Sequence, residues 1–142
     1  MTFWLTFVVL LALTAPVQAE TLQGPIEASY VSCYDADTCT FDVRIWLDQT
    51  VRTSVRLRGV DAPEMRGQCP TERELARAAT AFMRGLLVSA TSICLMNVEP
   101  DKYGGRVLAD VEVDGQSAAA LLIKYELARP YDGGRRLGWC DG

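Results

Sequence analysis

The chain has 142 residues, 49% of them apolar, with 14 Lys and Arg against 18 Asp and Glu, five Cys and no His. This apolar content at a net charge of −4 excludes a disordered chain, and the length supports one domain. Without His, the chain cannot use His-ligated zinc, Ser-His-Asp or Cys-His catalysis, or a His general base, and its acidic balance argues against a whole-surface nucleic-acid binder.

The chain begins with a segment without charged side chains, residues 1–19. Its apolar stretch, 3–15, is shorter than the roughly 20 residues that a membrane-spanning helix needs. Val17 and Ala19 place small residues at the −3 and −1 positions of a signal-peptidase site, so we predict a secretory signal cleaved before Glu20. No Lys or Arg precedes the apolar stretch, which leaves an uncleaved anchor as the alternative. Residues 20–142 are then expected to form a single secreted or periplasmic domain.

Three strands are predicted next, at 28–33, 40–47 and 51–60. The second and third alternate apolar and polar residues, which is typical of half-buried strands. Asp35-Ala36-Asp37 is a turn signal, so the first two strands are predicted to form a hairpin. The inward-facing residues are predicted to be Phe41, Val43, Ile45 and Leu47 on the second strand and Val51, Thr53, Val55 and Leu57 on the third.

A change in the spacing of the apolar residues then predicts a helix. Thr71 and Glu74 match a capping box, and apolar residues follow at helical spacing on one face: Leu75, Ala79, Phe82 and Leu86. Strands at 92–97 and 106–113 follow, and then a second helix at 117–127. Five strands with a helix after the third are typical of an OB-type barrel, so the predicted fold class is α+β, mainly β.

Four acidic residues are not explained by the strand pattern. Asp35 and Asp37 lie in the first hairpin turn, and Asp61 and Glu64 lie just past the third strand. Carboxylates that converge on loops repel one another unless a cation joins them, and Ca²⁺ prefers such oxygen ligands. Aspartates are also ordinary turn residues. With Arg56 on the polar face of the third strand, the two interpretations are evenly balanced.

Arginine supplies 12 of the 14 basic residues, and a guanidinium binds phosphate bidentately, as Lys does not. Most of these arginines are expected on the solvated surface. The loop 101–106 differs because its two glycines permit close backbone approach. Lys102, Tyr103 and Arg106 in that loop suit a phosphate with a base or sugar beside it, although a Gly-Gly hairpin loop with flanking charges is common.

Four blocks of the sequence resemble the staphylococcal nuclease (thermonuclease) family, in the family's order. They are Asp35-Ala36-Asp37-Thr38, the stretch VRLRGVDAPE at 55–64, the stretch DKYGGRVLA at 101–109, and Leu127-Ala128-Arg129. The resemblance covers about residues 28–131. It implies a five-stranded OB-fold barrel that hydrolyses DNA and RNA phosphodiesters with Ca²⁺ and leaves 3′-phosphates.

Carried over by position, the resemblance implies a Ca²⁺ site. Its ligands would be Asp37, Asp61 and the backbone carbonyl of Ala62, and Asp35 and Thr38 would act through water on the metal. Ala62 stands where the family often has Thr, which changes little if the ligand is the carbonyl.

The resemblance also implies the residues that bind and cleave the substrate. Arg56 and Arg106 would clamp the phosphate, and Glu64 would orient or deprotonate the attacking water. Lys102 and Tyr103 would contact the neighbouring phosphate, although an apparent one-residue insertion in their loop leaves their register open.

Two larger departures from the family pattern concern the whole domain. The domain is expected to lack the third, C-terminal helix of the family prototype, and it is acidic where the prototype is basic, so weaker polyanion binding is expected. The alternative is therefore a non-catalytic module of the same fold that binds single-stranded nucleic acid or an envelope protein. The expected partner is DNA or RNA, preferably single-stranded, and we expect a monomer without membrane attachment after signal cleavage.

The five cysteines all follow the predicted signal, and export would place them where disulfides persist. Cys33 and Cys39 flank the first hairpin turn, which favours a cross-strand bridge. Cys140 could tie the tail to Cys69, leaving Cys94 as the free thiol. Five cysteines permit other pairings, so this connectivity is a hypothesis.

Overall fold

A computed structural model of the protein describes Pro16 and residues 20–141. Apart from Pro16, the predicted signal peptide lies outside the described residues. Among those residues, no helix has both the length and the apolarity to cross a membrane.

The described residues form eight strands and two helices. In chain order these are β1 (Ile26–Asp35), β2 (Thr38–Trp46), β3 (Gln49–Leu57), β4 (Val60–Asp61), α1 (Pro70–Val88), β5 (Ile93–Pro100), β6 (Val107–Val113), β7 (Gln116–Ser117), α2 (Ala118–Lys124) and β8 (Arg129–Pro130).

Five of the strands close into a barrel of the OB type. They pair in the order β3-β2-β1-β5-β6, and a parallel pairing of β3 with β6, from Val55↔Val107 to Leu57↔Ala109, closes the sheet. Closure removes the exposed strand edges of an open sheet. The predicted α+β, mainly β class and the five-stranded barrel with two helices are therefore confirmed. After α2, the described chain forms the short strand β8, which pairs with β4.

The barrel interior is filled by the alternating residues of its strands. Phe41, Val55, Leu57 and Ala109 are each at most 1% exposed, and full burial of a side chain the size of Val, Leu or Phe is worth about 1.5–3 kcal/mol. Phe41, Val55 and Leu57 follow the predicted inward faces.

The prediction fails at the far end of the β2–β3 hairpin, where Ile45, Leu47 and Val51 are exposed. The pairing of β1 with β2 ends at Ala28↔Val43, so the hairpin extends past its neighbour and has no core to pack against.

The start of helix α1 also differs from the prediction. The N-cap is Cys69, whose sulfur accepts from the Glu72 N–H, and Pro70 follows it in the first turn. Proline suits that position because its missing N–H would be unpaired there anyway. The predicted capping box of Thr71 with Glu74 is therefore wrong.

The buried face of α1 is also shifted from the predicted one. Leu75 is exposed and Ala79 is fully buried, whereas Phe82 and Leu86 are only partly buried against the core. The fully enclosed positions of the helix are Ala76, Ala79, Thr80, Met83 and Leu87.

Two disulfides pair the cysteines as hypothesised. Cys33 and Cys39 are cross-strand partners on β1 and β2. Cys69 and Cys140 join the start of α1 to the C-terminal tail, with 5.8 Å between their Cα atoms. Cys94 is the free cysteine of the described chain. Two disulfides indicate an oxidising compartment.

Candidate active site

Two aspartates of the β1–β2 turn fasten that turn to the loop after β4. Asp37 Oδ2 accepts from the Ala62 N–H at 2.8 Å, and Asp35 Oδ1 accepts from the Met65 N–H at 2.7 Å. Asp35, Asp37 and Asp61 are 8%, 4% and 1% exposed. Three carboxylates are thus buried at one end of the barrel, where buried charge is costly unless it is paired.

The two turn aspartates carry poorly compensated negative charge. Burial raises the pKa of Asp35, and the charges of Asp37 and Glu64 raise it further, against a lowering by the Met65 N–H. Burial also raises the pKa of Asp37, although the Arg56 charge, the Ala62 N–H and the Thr38 hydroxyl oppose the rise. The carboxylates therefore form a place where an added positive charge would be stabilised.

Arg56, at the end of β3, connects these carboxylates to an adjacent groove. Its Nη1 donates to the carbonyls of Leu57 and Val60, each at 2.8 Å, and its Nη2 lies 3.5 Å from Asp37 Oδ2. Its side chain is 12% exposed. The guanidinium is therefore held in one orientation at the edge of the groove.

The groove has a volume of about 600 Å³ and lies between the β3–β4 turn, the loop 101–106 and the C-terminal tail. Arg106 pairs with Asp101 and lies 5.3 Å from the ring of Tyr103. The Lys102 Nζ lies 5.1 Å from the same ring. The charged residues of the lining are five basic ones, Arg56, Arg58, Lys102, Arg106 and Arg136, and three acidic ones, Glu99, Asp101 and Asp132. The groove is thus locally basic in an acidic protein.

A tail residue, Arg136, binds two of the predicted site carboxylates. Its Nε and Nη2 lie 2.8 Å and 2.6 Å from Asp61 Oδ1, and its Nη1 donates to Glu64 Oε1 at 2.5 Å. The other oxygen of Asp61, Oδ2, is buried without a hydrogen-bond partner.

The side chains that could ligate a metal ion show whether the site suits the expected calcium. Among the described residues, Cys69, Glu72 and Cys140 form the one group of three possible ligands whose ligand atoms lie within 4.8 Å of one another. Its sulfurs are joined in a disulfide, so this group is not a metal site. The predicted ligand set differs in kind, since it consists of two carboxylates, Asp37 and Asp61, and a backbone carbonyl. The buried, unpartnered Asp61 Oδ2 is the kind of oxygen that Ca²⁺ prefers. Their chemistry therefore fits a hard cation.

Similarity to known proteins decides the family. A family model described as staphylococcal nuclease homologue matches residues 54–136, which is more than half of the 142 residues. The chain belongs to this family. No curated protein matches the sequence. The matched segment includes Arg56, Asp61, Glu64 and Arg106, and the turn with Asp35 and Asp37 precedes it.

The predicted site residues of this staphylococcal nuclease homologue fall into two neighbouring groups. The acidic group consists of Asp35, Asp37, Thr38, Asp61, Ala62 and Glu64, and the Thr38 hydroxyl donates to Asp37 Oδ1 at 3.0 Å. The basic group is Lys102, Tyr103 and Arg106 in the loop across the groove. Arg56 contacts the first group and lines the groove with the second.

Two residues that shape the site were missed by sequence reasoning, Glu72 and Arg136. The buried Glu72 carboxylate accepts from the backbone N–H groups of Glu64 and Gln68. The loop packs against it so closely that a Cβ on Gly67 would lie 2.5 Å from Glu72 Cγ. Pro70 was the usable signal, because proline at the first helical position places Glu72 where capping-box carboxylates occur. For Arg136, the only local signal is a cluster of basic residues in the tail, with Arg129 and Arg135, which does not indicate the carboxylates that Arg136 contacts.

Proposed function

We propose that the protein is an exported, calcium-dependent nuclease that hydrolyses phosphodiester bonds of DNA or RNA and leaves 3′-phosphates. The observation that carries the proposal is the position of Arg56, which lines the groove and lies 3.5 Å from the buried Asp37. A phosphate bound by Arg56 would therefore lie beside the acidic group. Family membership supports a nuclease-like function in general, and the two disulfides support a secreted or periplasmic location.

The groove favours a single nucleic-acid strand as substrate. Arg56 and Arg106 can each bind two oxygens of a phosphate. Tyr103 is 72% exposed, so its ring is available for base stacking, which every base supports. Duplex binding relies on many phosphate contacts along a basic surface, whereas this basic groove is short and the protein carries a net charge of −4. We therefore expect preference for DNA or RNA single strands, bound by a monomer.

Asp37, Asp61 and the Ala62 carbonyl would hold the calcium ion, and Asp35 and Thr38 would support it through water and through hydrogen bonds to the ligands. Burial of Asp37 and the unpartnered Oδ2 of Asp61 support this assignment. When bound, Ca²⁺ supplies positive charge that offsets the charge of the phosphodiester and of its transition state.

The remaining steps use the protein's own side chains. Arg56 and Arg106 stabilise the extra negative charge that the phosphate gains in the transition state. Glu64 accepts a proton from the attacking water, whose oxygen bonds to phosphorus while the bond to the 5′ oxygen breaks and that oxygen takes up a proton. The Glu64 side chain is 44% exposed and bound by Arg136, so it serves as a base only after that contact opens.

The test is digestion of a 5′-labelled single-stranded DNA by oxidised protein, with Ca²⁺ or with chelator. We expect cleavage only with Ca²⁺, and products that a polymerase extends only after phosphatase treatment. Arg106→Gln and Glu64→Gln are each expected to lower the rate about 10²–10³-fold, the typical loss when one transition-state contact is removed. Arg52→Gln is the matched control, since the exposed Arg52 lies on the same strand as Arg56 but pairs with Asp42, away from the groove lining.

One observation favours the non-catalytic alternative, a module that binds single-stranded nucleic acid or an envelope protein. Arg136 neutralises Asp61 and Glu64 and adds a fifth basic side chain to the groove. Folded protein that binds the labelled strand but cleaves it at the same rate with Ca²⁺ as with chelator would favour this alternative and overturn the nuclease proposal.

A further inference from the structure

We infer that Arg136 is a tethered counter-ion of the acidic group, which binds Asp61 and Glu64 and thereby opposes the binding of a divalent cation by Asp61. The inference rests on the proposed metal site and adds a regulatory residue that lies in the C-terminal tail.

The geometry places the Arg136 guanidinium on the acidic side chains beside the proposed metal position. Arg136 uses Nε and Nη2 on one oxygen of Asp61 and Nη1 on one oxygen of Glu64. Asp61 is 1% exposed, whereas the Arg136 side chain is 43% exposed. The guanidinium therefore reaches from the surface onto a buried carboxylate, at the end of the groove where Arg56 contacts Asp37.

Electrostatic repulsion disfavours the simultaneous binding of a metal cation and the Arg136 guanidinium to Asp61. A metal ligated by Asp61 would lie within a few ångströms of the guanidinium, and like charges at that separation repel strongly near a buried site. Cation binding must therefore break or weaken the Arg136 contacts. By linkage, those contacts weaken cation binding by the same factor.

The tail holds Arg136 in place from both sides. Before it, β8 pairs with β4, and the Tyr131 N–H donates to the Gly59 carbonyl at 3.0 Å. After it, Cys140 is bonded to Cys69. The Arg129 guanidinium stacks 3.5 Å from the Trp139 ring and donates to the Gly138 carbonyl at 3.0 Å. This strap, residues 129–140, raises the effective concentration of Arg136 at the carboxylates.

The experiment is calorimetric titration of the oxidised protein with CaCl₂ in the absence of nucleic acid. We expect Arg136→Gln to bind Ca²⁺ on the order of tenfold more tightly than wild type, within the roughly 5- to 150-fold range typical of coupled sites. Arg136→Lys keeps the positive charge but loses the planar guanidinium that contacts both carboxylates, so its Ca²⁺ affinity should lie between those of wild type and Arg136→Gln. Arg135→Gln is the matched control, because it changes the net charge by the same amount at the adjacent exposed position. Arg135 forms no salt bridge within the described chain.

A second comparison tests the strap. Cys69→Ser/Cys140→Ser removes the disulfide, while serine at position 69 keeps an N-cap acceptor. We expect these two substitutions to tighten Ca²⁺ binding when Arg136 is present but not when it is replaced by Gln, because the strap acts through Arg136. Equal tightening in both backgrounds would overturn the role of the strap.

The outcomes separate this inference from the proposed function. If wild type binds Ca²⁺ and cleaves DNA but folded Arg136→Gln has the same or weaker affinity, the counter-ion role is wrong and the nuclease stands. If neither protein binds Ca²⁺ nor cleaves DNA, both proposals fall. Tighter binding by Arg136→Gln with unchanged affinity in Arg135→Gln supports the inference, whether or not cleavage is observed.

Discussion

Replacing Arg56 by Ala should impair folding as well as any activity. The arginine donates to the carbonyls of Leu57 and Val60 and is the cation beside Asp37. The two side chains of this ion pair are 12% and 6% exposed. The substitution therefore leaves a buried carboxylate without its counter-ion and two carbonyls without their donor.

The expected cost follows from that burial. Removing one partner of a buried ion pair typically costs about 3–5 kcal/mol, mostly because the remaining charge is uncompensated. A domain of this kind has a total free energy of unfolding of about 5–15 kcal/mol. Arg56→Ala should therefore fold, but with a large part of its stability lost, and an activity assay alone would confuse misfolding with loss of phosphate binding.

A double-mutant cycle in urea, without Ca²⁺, separates the two effects. Asp37→Asn alone should cost less than Arg56→Ala, because burial already disfavours the charged form of Asp37. In the double variant Arg56→Ala/Asp37→Asn, about 1–3 kcal/mol of the Arg56→Ala loss should be recovered, the size of coupling found between residues in contact. Strictly additive free energies of unfolding would refute the assigned role of Asp37 as the buried partner of Arg56.

Two further predictions concern the supports of the acidic group. Glu72→Gln should lower the free energy of unfolding by about 1–3 kcal/mol, because each oxygen of the buried carboxylate accepts one backbone N–H, whereas the amide has one acceptor oxygen and leaves the other N–H unpaired. The exposed Glu74→Gln is the control, and equal urea midpoints would contradict the prediction. The pKa values of Asp35 and Asp37 are raised above the ordinary aspartate value of 3.8, chiefly by burial. The folded state then binds protons more readily than the unfolded state, so these groups should add stability as pH falls from neutral through their folded pKa values. In thermal melts without Ca²⁺, the double variant Asp35→Asn/Asp37→Asn should lack this gain in stability at low pH. The same dependence of the melting temperature on pH in the variant and in wild type would contradict the prediction.

Local patterns predicted the barrel well because strand alternation depends on neighbours within a few residues. Phe41 on β2 and Val55 and Leu57 on β3 are buried as their alternation predicts. The same pattern predicted Ile45 as a core residue, and it is exposed. Alternation identifies one face of a strand but does not say where the strand that should cover it ends.

The family blocks predicted most residues of the candidate site for a different reason. Asp37, Asp61, Arg56 and Arg106 stand in recognisable segments, so their types and order could be read without knowing the contacts. Their proximity depends on closure of β3 onto β6 and on the hydrogen bond from the Ala62 N–H to Asp37. How these residues act remains a prediction, which the digestion and calorimetric experiments test.

By itself, the sequence determined the alternating strands, the two helices, the oxygen-rich turn and loop, and the arginines suited to phosphate. Each of these depends on residue type and short-range spacing. Only the tertiary structure decided which cation faces Asp61 and Glu64, because Arg136 is separated from Asp61 by 75 residues and lies in a tail without periodicity. The barrel, the β4–β8 pairing and the Cys69–Cys140 bond bring that tail to the site, and such long-range closure leaves no signal in the residues beside it.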